Sequence, residues 1–119
     1  DSDIYICDFH AETTSEKIAY ALHFDGKIQV IYGTHTHVQT NDARILDNGT
    51  AYITDVGMTG ALDGVIGVKK EVIIERFLNN TKLSFSPEDK GKRQFNAILV
   101  EIDDHTKKST KIDIINVIE

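Results

Sequence analysis

Short apolar runs and amphipathic stretches alternate along the chain. Ile4-Tyr5-Ile6-Cys7 is an unbroken apolar run, the pattern of a strand buried on both faces. Thr13-Thr14-Ser15-Glu16 reads as a capping box with Thr13 as N-cap. Ile18, Ala21 and Leu22 follow at helical spacing, and Gly26 is placed to close the helix. Lys27 to Tyr32 is a second β-rich run. Strand, helix and strand within about 30 residues predict a βαβ unit with parallel strands.

Beyond it the pattern changes. Asp47-Asn48-Gly49-Thr50 is a turn signal between Ile45-Leu46 and a strand over Ala51 to Val56. A glycine-rich connection (Gly57, Gly60, Gly64, Gly67) leads to a helix over Val68 to Leu78, with Ile73, Ile74, Phe77 and Leu78 on its apolar side. Gln94 to Ile102 and Lys111 to Ile118 form a long hairpin around a polar turn. The expected fold is α/β in its first half and antiparallel at its end, a mixed sheet with flanking helices (α+β in the broad sense).

The 119 residues suit a single domain, 1–119. Thirteen Lys and Arg against nineteen Asp and Glu give a net charge of −6, which argues against a nucleic-acid polymer or an anionic membrane as partner. No apolar run approaches the roughly 18 residues of a membrane span. The single cysteine, Cys7, forms no internal disulfide, and a reduced, cytoplasmic setting is expected. Met58 is the only methionine and the chain opens at Asp1, so either something has been removed or the chain is a piece of a longer protein.

The five histidines are not placed at random. His10 lies just beyond the first predicted strand, and His35 and His37 just beyond the second. If those strands are parallel, the three project from one sheet edge, outside the carboxyl ends of the strands, where open α/β sheets place their ligands. His23 sits at the far end of the connecting helix, on the order of 15 Å away, and His105 falls in the hairpin turn. Imidazole is a borderline ligand suited to zinc, iron, manganese or copper. His10, His35 and His37 are therefore the candidate metal ligands. Asp8 and Asp55 are candidates to orient them, since a ligating histidine usually donates its second ring N–H to a carboxylate or carbonyl. No residue obviously bridges two ions, and neither a P-loop nor a nucleophile elbow is present.

Asp8-Phe9-His10-Ala11-Glu12, then Gly33-Thr34-His35-Thr36-His37-Val38-Gln39-Thr40, then Thr54-Asp55-Val56-Gly57-Met58-Thr59-Gly60 resemble the YmdB-like branch of the calcineurin-like metallophosphoesterases. The resemblance implies a bacterial cytoplasmic phosphodiesterase acting on small cyclic nucleotides. It implies two metal ions (iron, manganese or zinc) in an α/β/β/α sandwich. His10, His35 and His37 match histidine ligands from the second half of that fold. The first half's aspartate, bridging carboxylate, asparagine and catalytic histidine have no counterpart here. The chain is thus expected to be the C-terminal half of such an enzyme, with no catalytic residue of its own and no activity alone. Two other readings stay open: a self-contained module holding a single metal ion on three histidines, and a non-catalytic interaction domain. An isolated half would expose an apolar face or strand edge and would be expected to self-associate as a homo-oligomer.

Overall fold

The computed structural model describes residues 3–119. The βαβ unit forms as expected: strand β1 (Ile6–His10), helix α1 (Thr14–His23) and strand β2 (Val30–Thr34). β1 and β2 are parallel in the register Ile6↔Val30 to His10↔Thr34. Strands β3 (Arg44–Ile45) and β4 (Ala51–Ile53) complete a four-stranded sheet in the order β1-β2-β4-β3, with β4 parallel to β2 and β3 antiparallel to β4. A separate antiparallel sheet, β5-β6-β7, follows: β5 (Gly60–Ala61), then helix α2 (Lys70–Asn79), then the hairpin β6 (Arg93–Ile102) and β7 (Ser109–Ile118). The hairpin therefore forms its own sheet rather than extending the first.

The core sits between α1 and the first sheet. Ala21 on the helix packs with Ile31, Leu46 and Tyr52, and Cys7, Phe9, Ile18 and Tyr20 gather around them. Phe9 stacks on Tyr20, with ring centroids 4.2 Å apart. Cys7 is half-buried, its Sγ 3.7 Å from the Tyr20 hydroxyl, in keeping with a packing role.

Two expectations are corrected. β1 is not buried on both faces. Among the described residues it lies at the sheet edge with only β2 beside it, and Ile6 is 64% exposed while Cys7 and Phe9 turn toward α1. Four successive apolar residues give the pattern of a doubly buried strand, yet only one face is covered among the described residues. The capping box does not close either. Thr13 is the N-cap, extended at φ −87° and ψ 132°, but its side chain makes no capping bond. Its carbonyl accepts the Lys17 amide instead, at 3.2 Å. Among the described residues the apolar side of α2 is uncovered, in line with the exposed apolar face expected of an isolated half: Phe77 is 86% exposed and no residue of this helix is fully buried.

Nor is the molecule as compact as an independent domain of its length. Its radius of gyration is 17.2 Å, against roughly 13–14 Å from the usual scaling with chain length.

Candidate metal centre

Parallel pairing of β1 with β2 sets His10 directly beside Thr34 at the carboxyl edge of the sheet. The Thr34 hydroxyl donates to Asp8 Oδ1 at 2.7 Å and lies 3.0 Å from His10 Nδ1. A hydroxyl has one proton, so the ring must be the donor in the second bond. His10 thus carries its proton on Nδ1, and Nε2 is left with a bare lone pair. That nitrogen faces His35 Nδ1 at 3.1 Å, the two rings meeting edge to face at 84°.

The 3.1 Å separation tests the fit to a metal. Two imidazole nitrogens on one tetrahedral ion, each at ~2.0–2.1 Å, would lie about 3.3 Å apart. As it stands the contact is a ring-to-ring hydrogen bond, His35 Nδ1–H donating to the bare His10 Nε2, and its length is also close to that of two ligands on one ion once that proton is lost. The Asp8–Thr34–His10 chain is the outer support that ligating histidines commonly show.

His37 looks elsewhere. Its Nδ1 lies 3.0 Å from the Ile66 carbonyl, which can only accept, so this ring too has its proton on Nδ1 and its lone pair on Nε2. Among the described residues, no three His, Cys, Asp or Glu side chains gather around one point. A single ion held by three histidines has no support in this arrangement. His23 packs edge-on against Phe24 at the C-terminal end of α1, and His105 sits in the β6–β7 turn with its amide on Asp103; neither contributes to the edge.

The loop between β2 and Thr40 is strained where the candidate ligands lie. His35 has φ 114° and His37 φ 64°, conformations that cost a non-glycine residue of order 1–3 kcal/mol each. Gly33, just before the loop, is required by close approach. A Cβ there would fall 1.7 Å from the Thr54 carbonyl oxygen.

Asp55 supports this loop without touching a histidine. Its Oδ2 accepts the Thr36 amide at 2.9 Å and the Lys17 ammonium at 3.1 Å, and Oδ1 accepts the Gly57 amide at 2.9 Å. Burial pushes this carboxyl up, but the amide donors and Lys17 more than offset it, leaving the pKa below the ordinary carboxylate value. Asp42 behaves alike: desolvation raises it, and the hydroxyls of Thr40 and Thr54 with the Thr54 amide lower it further. Gln39 ties the loop to the second sheet, its Nε2 lying 3.1 Å from the Ala97 carbonyl and 3.2 Å from that of Ile115.

Two hollows meet at His37. One, of about 350 Å³, is lined by polar groups including Gln39, Asn96 and Asn116. The other, of about 670 Å³, is lined largely by apolar residues such as Ile66, Phe77 and Phe85, with Arg76 at 4.4 Å over the Phe85 ring.

Lys17, Thr34 and Gln39 were not singled out from sequence. Lys17 had a usable signal, since it lies four residues before Ala21 and so shares the buried stripe of α1. Thr34 and Gln39 had none, because their roles depend on pairing across strands and sheets.

A nearly full-length match supplies the context for this geometry. The chain matches the family described as YmdB-like protein over residues 1–115 and belongs to that family. A relative from Bacillus subtilis (strain 168), named 2',3'-cyclic-nucleotide 2'-phosphodiesterase, is 53% identical over 106 residues, spanning 89% of this chain and 40% of the relative. Among solved structures, a novel phosphatase from Mycoplasma pneumoniae superposes with a TM-score of 0.91 at 43% identity, covering 97% of this chain and 41% of that one. A hypothetical protein from Thermus thermophilus gives 0.90 at 38% identity, covering 98% and 45%. The two sheets and two helices are thus part of a phosphatase fold. The chain spans about two fifths of the length of these relatives.

Proposed function

We propose that this chain provides part of the metal centre of a phosphodiesterase that hydrolyses small cyclic-nucleotide phosphodiesters in the cytoplasm. The observation that carries this reading is the facing pair His10 Nε2 and His35 Nδ1, 3.1 Å apart. The family membership and the Bacillus subtilis relative named for that activity support it.

In this reading His10 and His35 hold one ion and His37, through its free Nε2, belongs to a second. The ions are iron, manganese or zinc, to which imidazole is suited. Such ions, when bound, lower the pKa of water and offset charge on a phosphoryl group. This chain's part is to present lone pairs of fixed direction. The Asp8–Thr34 hydrogen bond sets the His10 tautomer, and the Ile66 carbonyl sets that of His37. Two histidines leave a coordination sphere incomplete, so the remaining ligands come from polypeptide that the relatives possess beyond the matched stretch.

Hydrolysis of 2',3'-cyclic AMP by the whole protein tests this. His35→Ala is expected to abolish turnover and lower metal content. Unchanged turnover at unchanged metal content would contradict the assignment.

A further inference from the structure

Lys17 and Asp55 form a buried ion pair, each side chain 1% exposed, with Nζ 3.1 Å from Oδ2. Taking two charges out of water is costly, and such a pair can often be replaced by apolar residues without loss of stability. Its bonding to the backbone gives it a more specific role. Lys17 Nζ donates to the Thr34 carbonyl at 2.8 Å, and Asp55 Oδ2 accepts the Thr36 amide at 2.9 Å. Those groups belong to the two peptide units that bracket His35. One ion pair thus grips both peptide planes on which the φ and ψ of His35 depend, and His35 is the residue held at φ 114°.

We propose that the Lys17–Asp55 pair is a positioning device for His35, holding its backbone in a strained conformation so that Nδ1 faces His10 Nε2. Without the grip, the loop relaxes toward negative φ and the ring swings out of line with His10. Asp55 also holds the Gly57 amide, so the chain leaving β4 and the histidine loop are held by the same carboxylate.

The test uses Lys17→Met/Asp55→Leu, which removes both charges together. Three readouts are taken: denaturant unfolding, the His35 HN–Hα coupling with the His10–His35 ring–ring Overhauser effect, and zinc affinity by calorimetry. The folded double variant is expected to lose the wild-type coupling and the ring–ring contact, and to bind zinc at least tenfold more weakly, the scale on which outer support of ligands acts. A folded double variant that keeps the wild-type coupling and ring contact would overturn the proposal. If the double variant does not fold, the unmodified protein decides. Its Thr36 amide should exchange with solvent as slowly as the β2 amides, and fast exchange overturns the proposal. The zinc readout rests on the proposed function, whereas the coupling and exchange readouts do not. Wild-type protein that takes up no zinc yet shows the expected structural loss in the variant refutes the metal reading alone. Zinc uptake that depends on His35 but is unchanged in a structurally intact double variant refutes the positioning role alone.

Discussion

The hydroxyl of Thr34 lies between the Asp8 carboxylate and the His10 ring, giving its proton to the first and accepting from the second. The direction of these two bonds decides which nitrogen of His10 can serve as a ligand. Thr34→Val keeps the shape of the side chain and removes both bonds. Zinc affinity measured by calorimetry should fall by about 10–100-fold, with little change in unfolding midpoint because Thr34 is only half-buried at the carboxyl end of β2. Unaltered affinity would show that the His10 tautomer does not depend on this contact.

Gly33→Ala places a methyl group where the Thr54 carbonyl oxygen now sits, 1.7 Å from the new carbon. The clash is with backbone, so β2 and β4 must separate at their carboxyl ends. Urea denaturation should show a loss of about 3 kcal/mol. A loss below the error of the extrapolation would mean that the strands part easily there.

Asp42 and Asp55 both have pKa values held below the ordinary carboxylate value. A depressed folded-state pKa contributes stability that is present above the unfolded value, ~3.9, and is lost as pH falls through the folded value. Stability should therefore be flat in this respect from neutral pH to about 4 and decline below it. In Asp42→Asn the decline should be shallower and the neutral-pH stability lower. An acid limb identical to that of the wild type would remove Asp42 from the account.

Among the described residues, the edge of β1 and the apolar side of α2 are uncovered, with Ile6, Phe77 and Leu78 all exposed. An exposed strand edge and apolar patch favour association. The chain alone is expected to self-associate, and light scattering after size exclusion should show species larger than a monomer. Phe77→Glu/Leu78→Lys should reduce their size. A concentration-independent monomer would contradict this.

Much of the first half was readable in advance because its determinants are local. Helical spacing of Ile18 and Ala21 and the strand-forming run before Gly33 suffice to fix a βαβ unit, although Leu22, on the same spacing, stays exposed, and the parallel pairing then brings His10 and Thr34 together. What could not be read depends on contacts distant in sequence. The burial of β1 and α2 depends on what covers them, so an apolar run alone misleads. The roles of Asp55 and Lys17 depend on a contact across 38 residues. The orientation of His37 depends on the Ile66 carbonyl, 29 residues on, and alternation along an extended strand could not foresee it, because the left-handed φ at His35 and His37 interrupts the extended backbone.

Anomalous diffraction at the absorption edge of the bound metal, on crystals of the whole protein, bears most directly on the central assignment. A peak is expected within ~2.0–2.2 Å of both His10 Nε2 and His35 Nδ1. Full metal occupancy with no peak between those two nitrogens would contradict it.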